Sequence, residues 1–242
     1  MKSLQNSFVF GVAMIAGMSG FAVQGVAQQG PPGQGQSPSA VSSSELPKDI
    51  DPGSLTRLPL VKREDLDEYG KKVYDAVTIS DPRYKDGVPG PLGMWMYDPF
   101  LAEHLIPVRN YLRSKTQFDR RLTELAILVT SRELNNQFEW TSHEPGARNA
   151  GLEPEIVDIV KYRKDASKLG EKEALIIRFG RELIGDKKLS SDTFARALKM
   201  FGKQGVMDLS ALMGLYSFIY TTIVTFDAQH SPDQKPLLPP LP

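Results

Sequence analysis

The sequence predicts an all-α protein, and three observations carry that prediction. Apolar residues recur every three or four positions in one segment after another between Arg63 and Phe226, which is the period of a helix buried on one face. No stretch alternates apolar and polar residues as a half-buried strand would. The six or seven helical segments are joined by short connections, and capping or breaking residues such as Asp119, Asn136, Gly151, Gly185 and Gly202 mark their ends. The 242 residues, 40% apolar and 24% charged, suffice for one domain with a sizeable core and are too ordinary for a disordered or fibrous class. With 29 basic against 29 acidic residues and no basic stripe, no nucleic-acid partner is expected. Neither GxGxxG nor a GxxxxGK loop nor HExxH occurs, so no nucleotide or zinc-protease site is expected.

Residues 1–27 read as a secretory signal: Lys2 in a short positive region, an apolar run over 8–23, and Gly25 and Ala27 at the small positions before a cut. The alternative is an uncleaved anchor, but the run is glycine-interrupted and shorter than the ~20 residues a span prefers. The protein is therefore expected to be exported, periplasmic or secreted, with no stable membrane insertion after signal cleavage. Absence of cysteine fits an exported protein without disulfides. Residues 28–56, rich in Gln, Gly, Pro and Ser, are predicted to be a disordered tether. Residues 57–230 form the helical domain. The tail 231–242, SPDQKPLLPPLP, is predicted to be extended. An arm packing on the domain or on a neighbouring subunit accounts for Leu237, Leu238 and Leu241; a PxxP ligand is the other reading.

Within the domain, Leu66, Tyr69, Val73, Tyr74 and Val77 predict a helix over 63–78. The segment 82–99 is rich in Gly and Pro and predicts an irregular loop leading to a helix that begins near Pro99. Met94, Trp95, Met96 and Tyr97 make this loop unusually apolar: it either packs beneath the helices or walls a ligand pocket. His104, beside Glu103 on helix 99–113, is expected to be a surface or packing residue.

Asp119 is a candidate N-cap, and Leu122, Leu125, Ala126 and Val129 predict an amphipathic helix over 120–133 with one buried stripe. Asn135 and Asn136 suit a corner and the N-cap of a second helix, running over about 137–150. Gly151 sits where a left-handed C′ residue belongs, and Pro154 suits the first turn of a third helix. Helices over 171–184, ended by Gly185, and 192–201, capped by Ser190 or Ser191 and stopped by Gly202, follow. The last, 206–226, carries no charge in the eighteen residues after Asp208, which reaches the lower limit for a membrane span. Its serines, threonines and tyrosines favour a buried core or subunit-interface helix instead.

Glu139 and His143 lie four residues apart and share one face of the second helix. Pro145 lacks an N–H, frees the carbonyl of Thr141 and favours a bend beside His143. Glu124 on the preceding helix is within reach of both.

At RLTELAIL, FEWTSHEPGARNAGL and LMGLYSFIYTTIVTFD the chain resembles the carboxymuconolactone decarboxylase family, which shares its all-helical fold with the alkyl hydroperoxidase D proteins. The resemblance spans roughly 60–227 and implies a single-domain helical bundle of that type, a homo-oligomer, and a cofactor-free lyase or isomerase acting on a small carboxylate or lactone. In the hydroperoxidase branch the catalytic unit is a CxxC pair followed by a histidine, with a glutamate on the preceding helix. Setting that histidine on His143 puts Asn136 and Glu139 at the cysteine positions and the glutamate on Glu124. This chain has no cysteine, so thiolate reduction of peroxide is not expected unless another redox group is supplied.

In the namesake reaction an unsaturated lactone loses carbon dioxide as the bonding electrons drain into a carbonyl, which needs a donor at the oxygen and a proton returned to carbon. His143 suits the proton by its pKa, with Glu124 or Glu139 holding its tautomer. The resemblance thus implies His143, Glu139 and Glu124 as catalytic residues; Trp95 and Tyr97 of the apolar loop, together with Trp140, are the candidates for binding substrate. No metal is expected, since the three histidines are widely separated in the sequence. Two other readings stand beside catalysis: Glu139 and His143 as a buried ion-paired clip, and a non-catalytic binding protein that holds an apolar or aromatic ligand in the same pocket.

Overall fold

The computed structural model describes residues 46–80, 84 and 87–240. Those residues form eight α-helices and no named strand: α1 Glu68–Ser80, α2 Gly90–Trp95, α3 Pro99–Ser114, α4 Arg120–Glu133, α5 Gln137–Asn149, α6 Pro154–Lys161, α7 Glu171–Gly180 and α8 Ser191–Phe226. The expected signal segment and residues 28–45 of the expected tether lie outside the described residues, as does Leu241.

Local chemistry sets the helix ends. The Asp119 carboxylate accepts from Leu122 N at 2.8 Å and starts α4, and Asn136 Oδ1 accepts from Glu139 N at 3.1 Å and starts α5. Asn135 between them takes a left-handed φ of 52°, which asparagine tolerates better than most residues. At the far end of α5, Gly151 has φ 88°. Leu152 N reaches Ala147 O and Gly151 N reaches Arg148 O, each at 3.0 Å, which is the paired closure of a Schellman motif.

Several expectations are corrected. Helix α4 is not amphipathic with one buried stripe: every residue from Leu122 to Arg132 is buried, because α5, α6, α7 and α8 pack around it. Its polar residues spend their donors locally, Thr130 Oγ1 on Ala126 O and Ser131 Oγ on Ile127 O, both at 2.9 Å. The Gly/Pro-rich segment contains α2, which the glycines hide from a periodicity reading, and Met94, Trp95 and Met96 there are buried. The helix expected over 63–78 splits into a 3₁₀ turn, Arg63–Asp65, and α1. Helix α7 ends at Gly180 and continues as a π turn, Arg181–Gly185. That turn aims Glu182 at the start of α8, where it accepts from Ser190 N at 2.8 Å and Thr193 Oγ1 at 2.7 Å.

Gly202, at φ 69° and ψ 179°, breaks α8 where the sequence places a stop. The second half packs Leu209, Leu212, Met213, Tyr216, Ile219 and Ile223 inward and leaves Met207, Phe218 and Val224 exposed. Residues 46–56 do not behave as free tether: Ile50 and Thr56 are buried, and Arg57 N and Nη1 donate to Phe226 O and Thr225 O, supplying the donors that the end of α8 lacks. The tail lies on the domain, with Leu238 buried and Pro239 O accepting from Arg132 Nη1 at 2.7 Å.

Gly180 marks a close approach of α7 to α4 and α8, since a Cβ there would overlap Val129 Cγ1 and crowd Met213. Gly180→Ala is expected to cost about 1–3 kcal/mol by overpacking. Gly214→Ala, where a Cβ meets nothing within 4 Å, is expected to gain about 0.5–1 kcal/mol from helix propensity. Urea unfolding of the two variants checks both signs.

Candidate active site

Four helices deliver the site. Helix α4 supplies Glu124, α5 supplies Glu139 and His143 one turn apart, α3 supplies Arg109 and Arg113, and α8 supplies Tyr216. His143 Nδ1 stands 2.6 Å from Glu124 Oε2, and its Nε2 stands 3.3 Å from Glu139 Oε2 and 3.4 Å from the Tyr216 hydroxyl. The other oxygen of Glu124 accepts from Arg113 Nη2 at 3.2 Å. The phenol ring of Tyr216 meets the imidazole edge to face, with ring centres 5.3 Å apart. Glu124, Glu139 and Tyr216 are 2%, 5% and 2% exposed, while the His143 side chain keeps 11%. The carboxylates therefore sit beneath the imidazole, shielded from water.

The electrostatics follow from that layering. Burial works to push the His143 pKa down, but the hydrogen bonds and charges of Glu124 and Glu139 outweigh it and hold the imidazole above its ordinary value of 6.5. Burial likewise works to raise Glu124, and His143, Arg113 and Arg120 together hold it below its ordinary 4.5. Tyr216 is pushed well up, first by burial, so its hydroxyl stays protonated and can donate. With Glu124 ionised, the Nδ1–H donates to it and the tautomer is fixed. Neutral imidazole then presents Nε2 as an acceptor to the Tyr216 hydroxyl, whereas imidazolium donates its Nε2–H to Glu139. One ring nitrogen is thus anchored, and the other is the one that gains or loses a proton between the two states.

The structure brings Glu124, Glu139 and His143 together as the spacing suggested, and it places the other three candidates apart from them. Trp95 is buried, with its indole N–H 3.4 Å from Thr222 Oγ1 and its ring against Phe218. Tyr97 is exposed and its hydroxyl donates to Pro59 O at 2.5 Å. Trp140 is fully buried; its N–H donates to Glu144 Oε2 at 2.6 Å, and Lys161 stands over its ring. None of the three makes a hydrogen bond or ring contact with His143 among the described residues. His104 is exposed, with Nδ1 on Phe100 O at 2.8 Å.

Sequence reading missed Arg109, Arg113 and Tyr216. The available signal was the four-residue spacing of the two arginines on α3, but nothing local ties them to a glutamate on the next helix. Among the described residues, no group of three or more His, Asp or Glu is arranged to hold a metal ion.

No family model matches the chain, and no curated protein matches it. Solved structures do. A peroxidase-related protein from Ralstonia eutropha JMP134, described as an alkylhydroperoxidase AhpD core, superposes with a TM-score of 0.58 at 12% identity, over 76% of this chain and 98% of that one. The chain has the alkylhydroperoxidase AhpD-like fold. A variant of the debrominase Bmp8 in complex with 2,3,4-tribromopyrrole superposes with a TM-score of 0.56, also at 12% identity, over 74% of this chain and 91% of that one. On this AhpD-like scaffold the chain has no cysteine at any position, and its buried polar centre is built from imidazole, carboxylates, guanidinium and phenol.

The pH linkage has two arms. His143, with its folded pKa raised, contributes stability that is complete below 6.5 and is lost as pH climbs through the higher folded value. Glu124, with its folded pKa lowered, contributes stability that is present above 4.5 and is lost as pH falls through the lower folded value. Nitrogen-detected NMR of His143 is expected to show a titration midpoint above 6.5, and Glu124→Gln is expected to bring that midpoint down. A midpoint below the ordinary value in the unmodified protein would contradict the electrostatics described.

Proposed function

We propose that this AhpD-like protein is a cofactor-free acid–base enzyme, a carbon–carbon lyase or isomerase resembling carboxymuconolactone decarboxylase, whose substrate is a small unsaturated lactone or carboxylate. The observation that carries the reading is one imidazole bracketed by two buried glutamates, with Nδ1 on Glu124 at 2.6 Å and Nε2 facing Glu139 at 3.3 Å. A structural clip needs only one carboxylate on such a ring. Two, with one anchored nitrogen and one free to exchange a proton, suit proton transfer.

In a decarboxylation, the bond between the carboxyl carbon and its neighbour breaks and carbon dioxide leaves. The electron pair flows into the conjugated carbonyl, and the Tyr216 hydroxyl is the neutral donor within reach of the charge that builds there. The imidazolium of His143 then returns a proton from Nε2 to carbon, and solvent restores it. In an isomerisation the neutral ring takes the proton first. Neither course calls for a thiol or an external electron carrier. The AhpD-like fold, shared with a debrominase, supports an enzymatic reading.

The reading also includes export and self-association. The apolar run over 8–23 supports export, and the exposed Phe100, Val108, Met207, Phe218 and Val224 support a subunit interface.

The purified protein is to be assayed for carbon dioxide release and solvent-deuterium incorporation across unsaturated lactones and β-keto acids. His143→Gln is expected to lower turnover by about 10²–10⁴-fold, the usual worth of a general acid or base. Turnover unaffected by that change would sink the assignment. Tight retention of an unchanged ligand by a folded, inactive protein would favour the binding-protein alternative.

A further inference from the structure

Two arginines one turn apart share the face of α3 from which Arg113 reaches the Glu124–His143–Glu139 cluster, and they are not equivalent. Arg113 has a partner, Glu124 Oε1, at 3.2 Å. Arg109, one turn earlier, has no carboxylate at salt-bridge distance among the described residues. Its recorded hydrogen bond runs from Nη1 to the side chain of its chain neighbour, Asn110 Oδ1, at 3.2 Å. A surface arginine in that position would extend into water. Arg109 is instead half-buried, and Arg113, Tyr216, Tyr84 and Glu139 all act on its charge. Burial first, then Arg113, pulls its pKa below the ordinary arginine range.

A cation held half out of water beside a second cation, with Glu139 acting on it from beyond salt-bridge distance and no ion-pair partner among the described residues, carries a cost that an arriving anion would offset. Charge counting over the cluster points the same way. With His143 protonated, Arg109, Arg113 and the imidazolium set three positive charges against the two of Glu124 and Glu139, and Arg120 adds a further positive influence on Glu124. The carboxylates are buried, while Arg109, Arg113 and His143 each keep partial exposure, so an anion in solution meets the positive groups before the negative ones.

We propose that Arg109, with Arg113 beside it, is the receptor for a carboxylate group of the substrate, and so determines specificity for small organic acids over their neutral analogues. The planar guanidinium suits a carboxylate because its paired N–H groups match the two oxygens. Arg109 is a positioning residue: it holds the anion on α3 while the reacting carbon faces His143 Nε2. That last clause rests on the acid–base reading above; the anion site itself does not.

The test uses maleate as the probe, with dimethyl maleate as its neutral counterpart and inorganic phosphate as a rival anion. Binding to the full chain is followed by NMR of the arginine Nε–H signals and of His143. Maleate is expected to bind the unmodified protein and dimethyl maleate is not. Arg109→Gln is expected to weaken maleate at least tenfold, about 1.4 kcal/mol. Arg109→Lys, which keeps the charge and loses the planar fork, is expected to weaken it several-fold, and this arm decides the matter if the glutamine variant fails to fold.

Absence of maleate binding, equal binding of the diester, tighter binding of phosphate than of maleate, or full affinity in either variant would each overturn the proposal. The two readings fail separately. Turnover lost in His143→Gln with maleate affinity intact in Arg109→Gln leaves the acid–base reading standing without this one, and the reverse pattern leaves the anion receptor standing alone.

Discussion

The structure depends on a carboxylate placed where carboxylates are rarely found, Glu124 in the middle of the most enclosed helix of the domain. Burying that charge unpaired would cost several kcal/mol, and removing one partner from such a pair typically costs about 3–5 kcal/mol. The surrounding helices are arranged to avoid it. Helix α3 brings Arg113 to one oxygen, α5 brings His143 to the other, and α8 closes over the imidazole with Tyr216. The requirement to satisfy one side chain thereby fixes the relative placement of four helices, and the same requirement charges the imidazole. The placement of the helices and the charge on the imidazole have one origin here, so a change at Glu124 alters both at once.

How much of this was legible from the residues depended on the range over which each feature is decided. Helix ends were readable because caps act within three residues: Asp119, Asn136, Gly151, Ser190 and Gly202 all sit at the boundaries they suggested. The Glu139–His143 pair was readable because one turn of helix decides it, and Glu124 because the two-asparagine corner folds its helix back against α5. The enclosure of α4 on all sides was not readable, since four other helices impose it and its own threonines, serine and arginine argue for an exposed face. Tyr216 and the arginines reach the imidazole from distant stretches of chain, and Trp140 is drawn off by Glu144 and Lys161 on a face that periodicity could not distinguish from the pocket side.

The AhpD-like scaffold separates architecture from chemistry. A fold supplies positions, and the groups at those positions set the reaction. In this chain oxygen and nitrogen acids occupy the centre, and burial and mutual hydrogen bonds displace their pKa values. Such a site is tuned by hydrogen bonds a few tenths of an ångström long or short, so the packing of α3 against α4 bears directly on the protonation of a group on α5.

The chain has two tryptophans, and both belong to the interior: Trp95 at 3% exposure against Thr222 and Phe218 of α8, Trp140 at 0% beneath Lys161 at the meeting of α5 and α6. The ultraviolet emission of the folded protein therefore comes wholly from indoles shielded from solvent, one lodged against α8 and the other between Glu144 of α5 and Lys161 of α6. A red shift has no surface indole to come from. Light emitted by this protein reports, without any added label, whether α2 is still seated on α8 and Lys161 still covers α5.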